Sequence, residues 1–309
     1  MPDALYIVGR EAAVDGGRIA TFEMDAAKRG APVVLAVHGL TANSRSWLAV
    51  ARHLTDRARF LALDLRGRGD SCAVGEPFGI DSHVADLMTI IEGLELPCVT
   101  LVGHSLGAYI ASRFAHEHPD RVTGVVLLDG GLRIPGSERV DPQRFVEALL
   151  GPTFERLGMR FSSREDYHAW WFAHPAFADG AIATDDIAAF ADHDLTGFPP
   201  ELRSSISEPA LRADAADLAR VGSPAHELAV PAQLLCAPRG LRNEPAPLLP
   251  FDLAESWARD RPGERKAVLV EDCNHYTIAM GDHGARAAAA TILELADAAR
   301  RSSADVRGV

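Results

Sequence analysis

The residues best placed to do chemistry are Gly103-His104-Ser105-Leu106-Gly107, a G-x-S-x-G run. It stands where an apolar stretch, residues 98–102, meets an amphipathic one, residues 106–118, so the spacing predicts a strand, a sharp turn and a helix. That setting suits a nucleophile. A strained bend would lift the Ser105 hydroxyl clear of a sheet, and the flanking glycines would let strand and helix approach closely. The helix would then aim free N–H groups and its positive dipole end at the charge that forms in acyl transfer. A serine hydroxyl is a poor nucleophile at neutral pH, so a general base must lie within hydrogen-bond reach, and histidine suits that duty.

Such groups need a scaffold, and the 309-residue chain has the means to build one. With 47% hydrophobic and 24% charged residues it can bury a sizeable core without a metal or disulfide staple, which excludes a disordered chain. The 31 Lys+Arg against 43 Asp+Glu leave a net charge of −12 with scattered arginines, and this argues against a nucleic-acid partner. Four cysteines are too few for a disulfide framework; Cys98 and Cys236 fall in apolar strand-like runs, as free thiols in a reducing compartment do. Asp3, followed by a short apolar run and then Arg10 and Glu11, is unlike a signal peptide. No stretch reaches the roughly 18 consecutive apolar residues of a membrane span. The expectation is a cytoplasmic, soluble protein.

Short apolar runs alternate with helix-length amphipathic stretches as far as about residue 130, the pattern of βα units feeding a mostly parallel sheet. Residues 5–8 and 18–24 read as a hairpin around Asp15-Gly16-Gly17. Residues 32–37, 60–63, 98–102 and 122–128 read as strands buried on both faces. Residues 44–56, 80–94 and 106–118 read as crossover helices. After Gly131 come some ninety residues rich in Trp, Phe, His and Pro without a strand-like run, read as an inserted helical cap, residues 132–224. Strands return at 230–236 and 266–270, followed by an Ala-rich helix at 285–300 and a polar tail, 301–309, that frays. The core domain would then comprise residues 1–131 and 225–309.

Four stretches in this order resemble the α/β-hydrolase family. Besides the Ser105 motif they are His38-Gly39-Leu40, similar to its oxyanion segment; Asp64-Leu65-Arg66-Gly67-Arg68-Gly69-Asp70-Ser71, similar to a run of its capped members; and Asn274-His275-Tyr276, where the family places its catalytic histidine. The resemblance implies an α/β-hydrolase fold: a mostly parallel central sheet flanked by helices, with the cap inserted. It also implies an oxyanion hole made by the backbone N–H groups of Leu106 and Leu40, with Gly39 letting the loop pass close to Ser105. The charges of Asp64 to Ser71 read as loop-bracing hydrogen bonds.

Of the twelve histidines, His38 and His104 belong to the motifs and His116 and His118 close a helix. His53, His83, His226 and His283 sit in polar, helical or turn contexts, and His168, His174 and His193 lie in the cap. Asp192-His193-Asp194 has a metal-like look, but adjacent residues rarely converge on one ion. His275, on a loop after an apolar strand, remains as the base. The acid that orients it has two candidates: Asp129, ending the run 122–128 before Gly130-Gly131, is preferred, and Glu244, after the strand that returns from the cap, is the alternative. His38, Gly39, His104, Trp170 and Trp171 are candidate pocket residues, the tryptophans serving cap packing, an apolar pocket wall, or both.

The expectation is a serine hydrolase, a carboxylic ester hydrolase acting on an ester or thioester of a small apolar or aromatic molecule, with no cofactor and no metal. A lactonase, C–C hydrolase, perhydrolase, isomerase or cyclase uses the same constellation, and a non-catalytic ligand-binding relative is the reading from another class. Dehalogenases and epoxide hydrolases, which resemble the chain in cap and topology, use an aspartate where Ser105 stands. The Ala and Arg content points to a GC-rich bacterial genome.

Overall fold

The fold, a computed structural model, describes residues 5–24 and 30–307. Eight strands form one sheet in the order β1-β2-β4-β3-β5-β6-β9-β10. β1 (Ile7–Val14) and β2 (Gly17–Met24) are an antiparallel hairpin closed on Asp15-Gly16, with Val14 opposite Gly17, and β2 also runs antiparallel to β4 (Arg59–Leu63). The remaining pairs, through β3 (Val33–Val37), β5 (Val99–His104), β6 (Val122–Leu128), β9 (Ala232–Cys236) and β10 (Arg265–Leu269), are parallel.

The unbroken apolar runs of β3, β5 and β6 follow from burial on both faces, since successive side chains point to opposite sides. Leu35, Val37, Leu101 and Val125 join one core with Ile90 of α2 (Ile80–Gly93), Phe114 of α3 (Leu106–Glu117) and Trp257 of α8 (Phe251–Arg259). Their neighbours Val34, Ala36, Val102 and Val126 join the other with Val50 of α1 (Leu48–Leu54) and Ile292 of α10 (Asp282–Arg307). The alanines of α10, Ala285, Ala288 and Ala289, let that helix lie close against the sheet.

Between β6 and β9 the chain forms α4 (Pro142–Gly158), α5 (Arg164–Phe172), α6 (Thr184–Asp194) and α7 (Glu208–Arg220). A third core, with Phe161, Tyr167, Trp171, Phe177 and Phe190, packs α5, α6 and the segments beside them onto Ala42 and Met280 above the sheet, whereas Phe145 of α4 and Leu211 and Ala215 of α7 join the first core. A short helix, α9 (Thr277–Met280), precedes α10.

Several expectations change. Residues 132–224 hold a small ribbon, β7 (Leu195–Thr196) against β8 (Arg203–Ser204), because Asp194 carboxylate and carbonyl oxygens gather the hydroxyl and N–H groups of Ser204 and Ser205. α8 was not foreseen. Cys98 is exposed just before β5, its thiol donating to the Asp120 carbonyl at 3.1 Å, so it is no core hydrophobe. The expected tail is helical through Arg307, while residues 308–309 lie outside the described residues, as does Asp3 of the N-terminal reading. Among the described residues no helix is long and apolar enough to cross a membrane.

Candidate active site

Ser105 is the single residue between β5 and α3, with φ 54° and ψ −120°. Such a conformation in a residue with a side chain costs about 1–3 kcal/mol and persists only where its surroundings fix it. Here the Ser105 N–H donates to the Leu128 carbonyl at 2.9 Å, and its carbonyl accepts the Ala108 N–H at 2.9 Å. The flanking glycines are required by contact: a Cβ on Gly103 would stand 2.2 Å from the Gly107 carbonyl oxygen, and one on Gly107 2.0 Å from that of Val37.

Asp129 leaves the end of β6 with φ 47°, its N–H bonded to the Leu235 carbonyl at 2.8 Å. Its Oδ1 accepts the Ala237 N–H at 3.3 Å and its Oδ2 accepts His275 Nδ1–H at 2.7 Å. Both side chains are buried. With Nδ1–H given to that carboxylate, the neutral ring carries its lone pair on Nε2. The loop carrying His275 is fixed by Asn274, whose Oδ1 accepts the N–H groups of Tyr276 and Thr277, each at 2.9 Å, and whose Nδ2 donates to the Ala176 carbonyl at 2.8 Å. Ser105, Asp129 and His275 line one narrow cavity of ≈ 50 Å³. Glu244 stands apart from it: exposed, with Oε2 accepting the Arg242 N–H at 2.8 Å, it closes its own turn.

Gly39 and Leu40 line the same cavity. A Cβ on Gly39 would lie 3.2 Å from the Ser105 Cβ, so glycine allows the close pass. Opposite, the N–H of Leu106 is the first of α3, and no carbonyl of that helix precedes it to accept the bond. The Leu40 carbonyl is held by Arg68 Nε at 3.1 Å, and Arg68 pairs with the buried Asp214 of α7 at 2.6 Å. Arg66 makes a two-armed pair with Asp86, at 2.5 and 2.6 Å. Asp64 accepts the N–H groups of Ser44 at 2.7 Å and Asp70 at 2.9 Å. Asp64, Leu65 and Arg68 thus brace the loop that faces Ser105, while Arg66 and Ser71 tie the stretch to α2 and the β1–β2 hairpin.

His38 lies outside this cavity, contrary to the expectation that it lines the pocket. It is fully buried, donating from Nδ1 to the Gly39 carbonyl at 2.7 Å and accepting the Leu65 N–H on Nε2 at 2.9 Å. Both nitrogens are committed to backbone, and burial pushes its imidazole down to about 4. His104 does line the cavity, donating from Nε2 to the His275 carbonyl at 2.7 Å, and burial holds it neutral. Trp170 and Trp171 line a different, larger cavity, because their rings pack with Tyr167, Phe177 and His174 in the third core.

Thr41, Tyr109, Leu218, Leu241, Leu248 and Tyr276 also line the small cavity and were not singled out beforehand. Tyr276 follows His275 directly, which was the available signal; Leu218 comes from α7, and no local pattern marks it. His193 sits with Asp64 and Asp70, its Nε2 2.6 Å from Asp64 Oδ2. Burial pushes the Asp64 carboxyl up, but the His193 hydrogen bond and charge outweigh it and hold it below the ordinary range. The neighbours Asp192 and Asp194 face other partners, His168 and Arg156.

Residues 32–190 match the description of the alpha/beta hydrolase fold. The putative 2-succinyl-6-hydroxy-2,4-cyclohexadiene-1-carboxylate synthase of Bacillus subtilis is 30% identical over 177 residues, 56% of this chain and 61% of that protein. Lipase LipV of Mycobacterium tuberculosis is 37% identical over 117 residues, 38% of this chain and 43% of that protein. The chain therefore spans at most 61% of the length of these curated relatives. Among solved structures, E-2-(acetamidomethylene)succinate hydrolase superposes with a TM-score of 0.73 at 22% identity, covering 94% of this chain and 100% of that one. With that sheet and a family pattern matched over half its length, this chain belongs to the α/β-hydrolase fold family.

Proposed function

We propose that the protein is a serine hydrolase that cleaves a carboxylic ester or thioester of a small apolar or aromatic substrate through an acyl-enzyme on Ser105. The observation that carries this reading is the 2.7 Å bond between Asp129 Oδ2 and His275 Nδ1 in a cavity that Ser105 also lines. In the proposed reaction Nε2 of His275 takes the Ser105 proton as the oxygen attacks the substrate carbonyl. The oxyanion is met by the N–H groups of Leu106 and Leu40, each such donor being worth roughly 3 kcal/mol in the transition state. The imidazolium, stabilised by Asp129, returns the proton to the leaving alcohol or thiol. Water, deprotonated by the same histidine, then releases the acid.

The apolar walls, Ile134, Leu218, Leu241 and Leu248, support a small apolar group next to the reacting carbonyl. Ile134 and Leu218 come from residues 132–224, which act as a cap in this scheme.

A fluorophosphonate probe followed by peptide mass spectrometry tests the nucleophile. The expected result is an adduct on Ser105 that His275→Ala slows by orders of magnitude and Ser105→Ala abolishes together with ester turnover. Folded protein that carries no adduct and turns over no ester or thioester would move the assignment to a non-catalytic ligand-binding protein.

A further inference from the structure

Beside the reacting cavity lies a second one of ≈ 270 Å³. The two share Thr41 and Tyr276, whose hydroxyls are 3.4 Å apart, so this side-chain pair belongs to the walls of both. The first cavity has leucine and isoleucine walls, whereas Arg156, Arg242 and His174 line the second.

Arg156, on α4, is 2% exposed. Its Nη1 donates to Asp194 at 2.5 Å and to the Tyr167 hydroxyl at 2.7 Å, and its guanidinium carbon lies 5.0 Å from the Trp171 ring centre. Its Nη2, equally buried, has no hydrogen-bond partner. Leaving a buried charged donor unused is costly, and Arg156 is one of the residues that line the cavity. Arg242, also on the cavity wall, is exposed, and its guanidinium has no ion-pair partner among the described residues. His174 stands within the field of both: burial first, then the charges of Arg242 and Arg156, push its imidazole down to about 4, leaving it a neutral hydrogen-bonding group.

We propose that this second cavity is a carboxylate subsite, so that the substrate carries a carboxylate remote from the carbonyl that Ser105 attacks. Arg242 supplies the charge and Arg156 the unused donor, and a guanidinium fork matches the plane and spacing of a carboxylate. Asp194 already balances Arg156; Glu155 on the cavity wall and Glu244, whose charge also reaches His174, are exposed, as Arg242 is. With acidic groups this near, the wall suits a monoanion better than a dianionic phosphate. Binding energy gathered at this distance from the reacting bond is available to orient the carbonyl over Ser105.

The inference takes its reaction from the proposed function, but the subsite can be tested without turnover. The kinetic test compares mono-p-nitrophenyl esters of the diacids from glutarate to suberate with neutral p-nitrophenyl esters of equal length. For at least one length the wild-type protein is expected to prefer the anionic ester tenfold or more in kcat/KM. Arg242→Gln should lower kcat/KM for that ester at least tenfold more than for its neutral partner. No preference at any length, or one that Arg242→Gln does not change, overturns the subsite.

The binding test titrates Ser105→Ala protein with the same free diacids, following the fluorescence of Trp170 and Trp171 in the cavity wall. Saturable quenching that weakens tenfold in Ser105→Ala/Arg242→Gln supports the subsite even if no ester is hydrolysed, in which case only the hydrolase reading fails. Neutral-ester turnover without saturable diacid binding has the opposite meaning: the hydrolase reading stands and the subsite falls.

Discussion

Asp129→Asn separates the two candidate acids and has a size that follows from the geometry. In the proposed reaction, where His275 accepts the Ser105 proton, an imidazolium would form beside a carboxylate 2.7 Å away, with both groups buried. With charge centres about 4 Å apart and an effective dielectric of about 20, their attraction is about 4 kcal/mol. At 1.36 kcal/mol per tenfold, that is about a thousandfold in rate. The amide adds a second loss: its NH₂ can donate to Nδ1, moving the imidazole proton to Nε2, where the ring can no longer act as base. The expected fall in kcat is therefore about 10³- to 10⁴-fold, measured by p-nitrophenyl butyrate hydrolysis with thermal denaturation as the folding control. Glu244→Gln, whose amide oxygen can still accept the Arg242 N–H, should stay within about twofold of wild type. A folded Asp129→Asn enzyme keeping more than about a tenth of its kcat, or a matching loss in Glu244→Gln, would refute the assignment of the acid.

Gly107→Ala forces a Cβ to 2.0 Å from the Val37 carbonyl, a backbone atom that cannot swing away, so a loss of about 3 kcal/mol is expected in chemical denaturation; wild-type stability would contradict that packing. Asp86→Ala strands the buried Arg66 guanidinium and should cost about 3–5 kcal/mol by the same measurement, with a loss below about 1 kcal/mol counting against the buried pair. Stability should also drop on acidification. His38 takes a proton at about 4 in the fold but near 6.5 in the unfolded chain, so between those values the unfolded state binds more protons. That contribution is intact above pH 6.5 and declines as pH falls through the window, by about 2 kcal/mol between pH 7 and 5. His38→Gln should flatten this part of the stability profile, and an unchanged slope would show that His38 does not titrate as argued.

The strand-turn-helix around Ser105 was legible because a glycine-flanked serine between an apolar run and an amphipathic one is a purely local pattern. The same holds for the parallel strands, whose runs of Val, Leu and Ala reflect burial on both faces. α8 escaped notice because Phe251–Arg259 follows Pro245, Pro247 and Pro250 and buries only Ala254 and Trp257. Choosing between Asp129 and Glu244 required knowing which carboxylate the His275 loop meets, and that depends on how β6 and β9 lie side by side rather than on spacing. His38 misled for a related reason. Its place in the His-Gly-Leu stretch suits a pocket residue, but its ring turns back to hold Leu65, a contact set by the pairing of β3 with β4. The tryptophans showed only that residues 132–224 carry large rings, not which of the two cavities those rings face.

The φ of 54° at Ser105 sets the demands of chemistry against those of folding. A glycine there would relax the bend and should raise stability by about 1 kcal/mol. The alcohol would be gone, yet the variant would purify well, melt later and pass any assay for soluble expression. If Ser105 is the nucleophile as proposed, loss of the reaction at this position would therefore carry no penalty that a thermal or proteolytic screen could see, and only a turnover assay would register it.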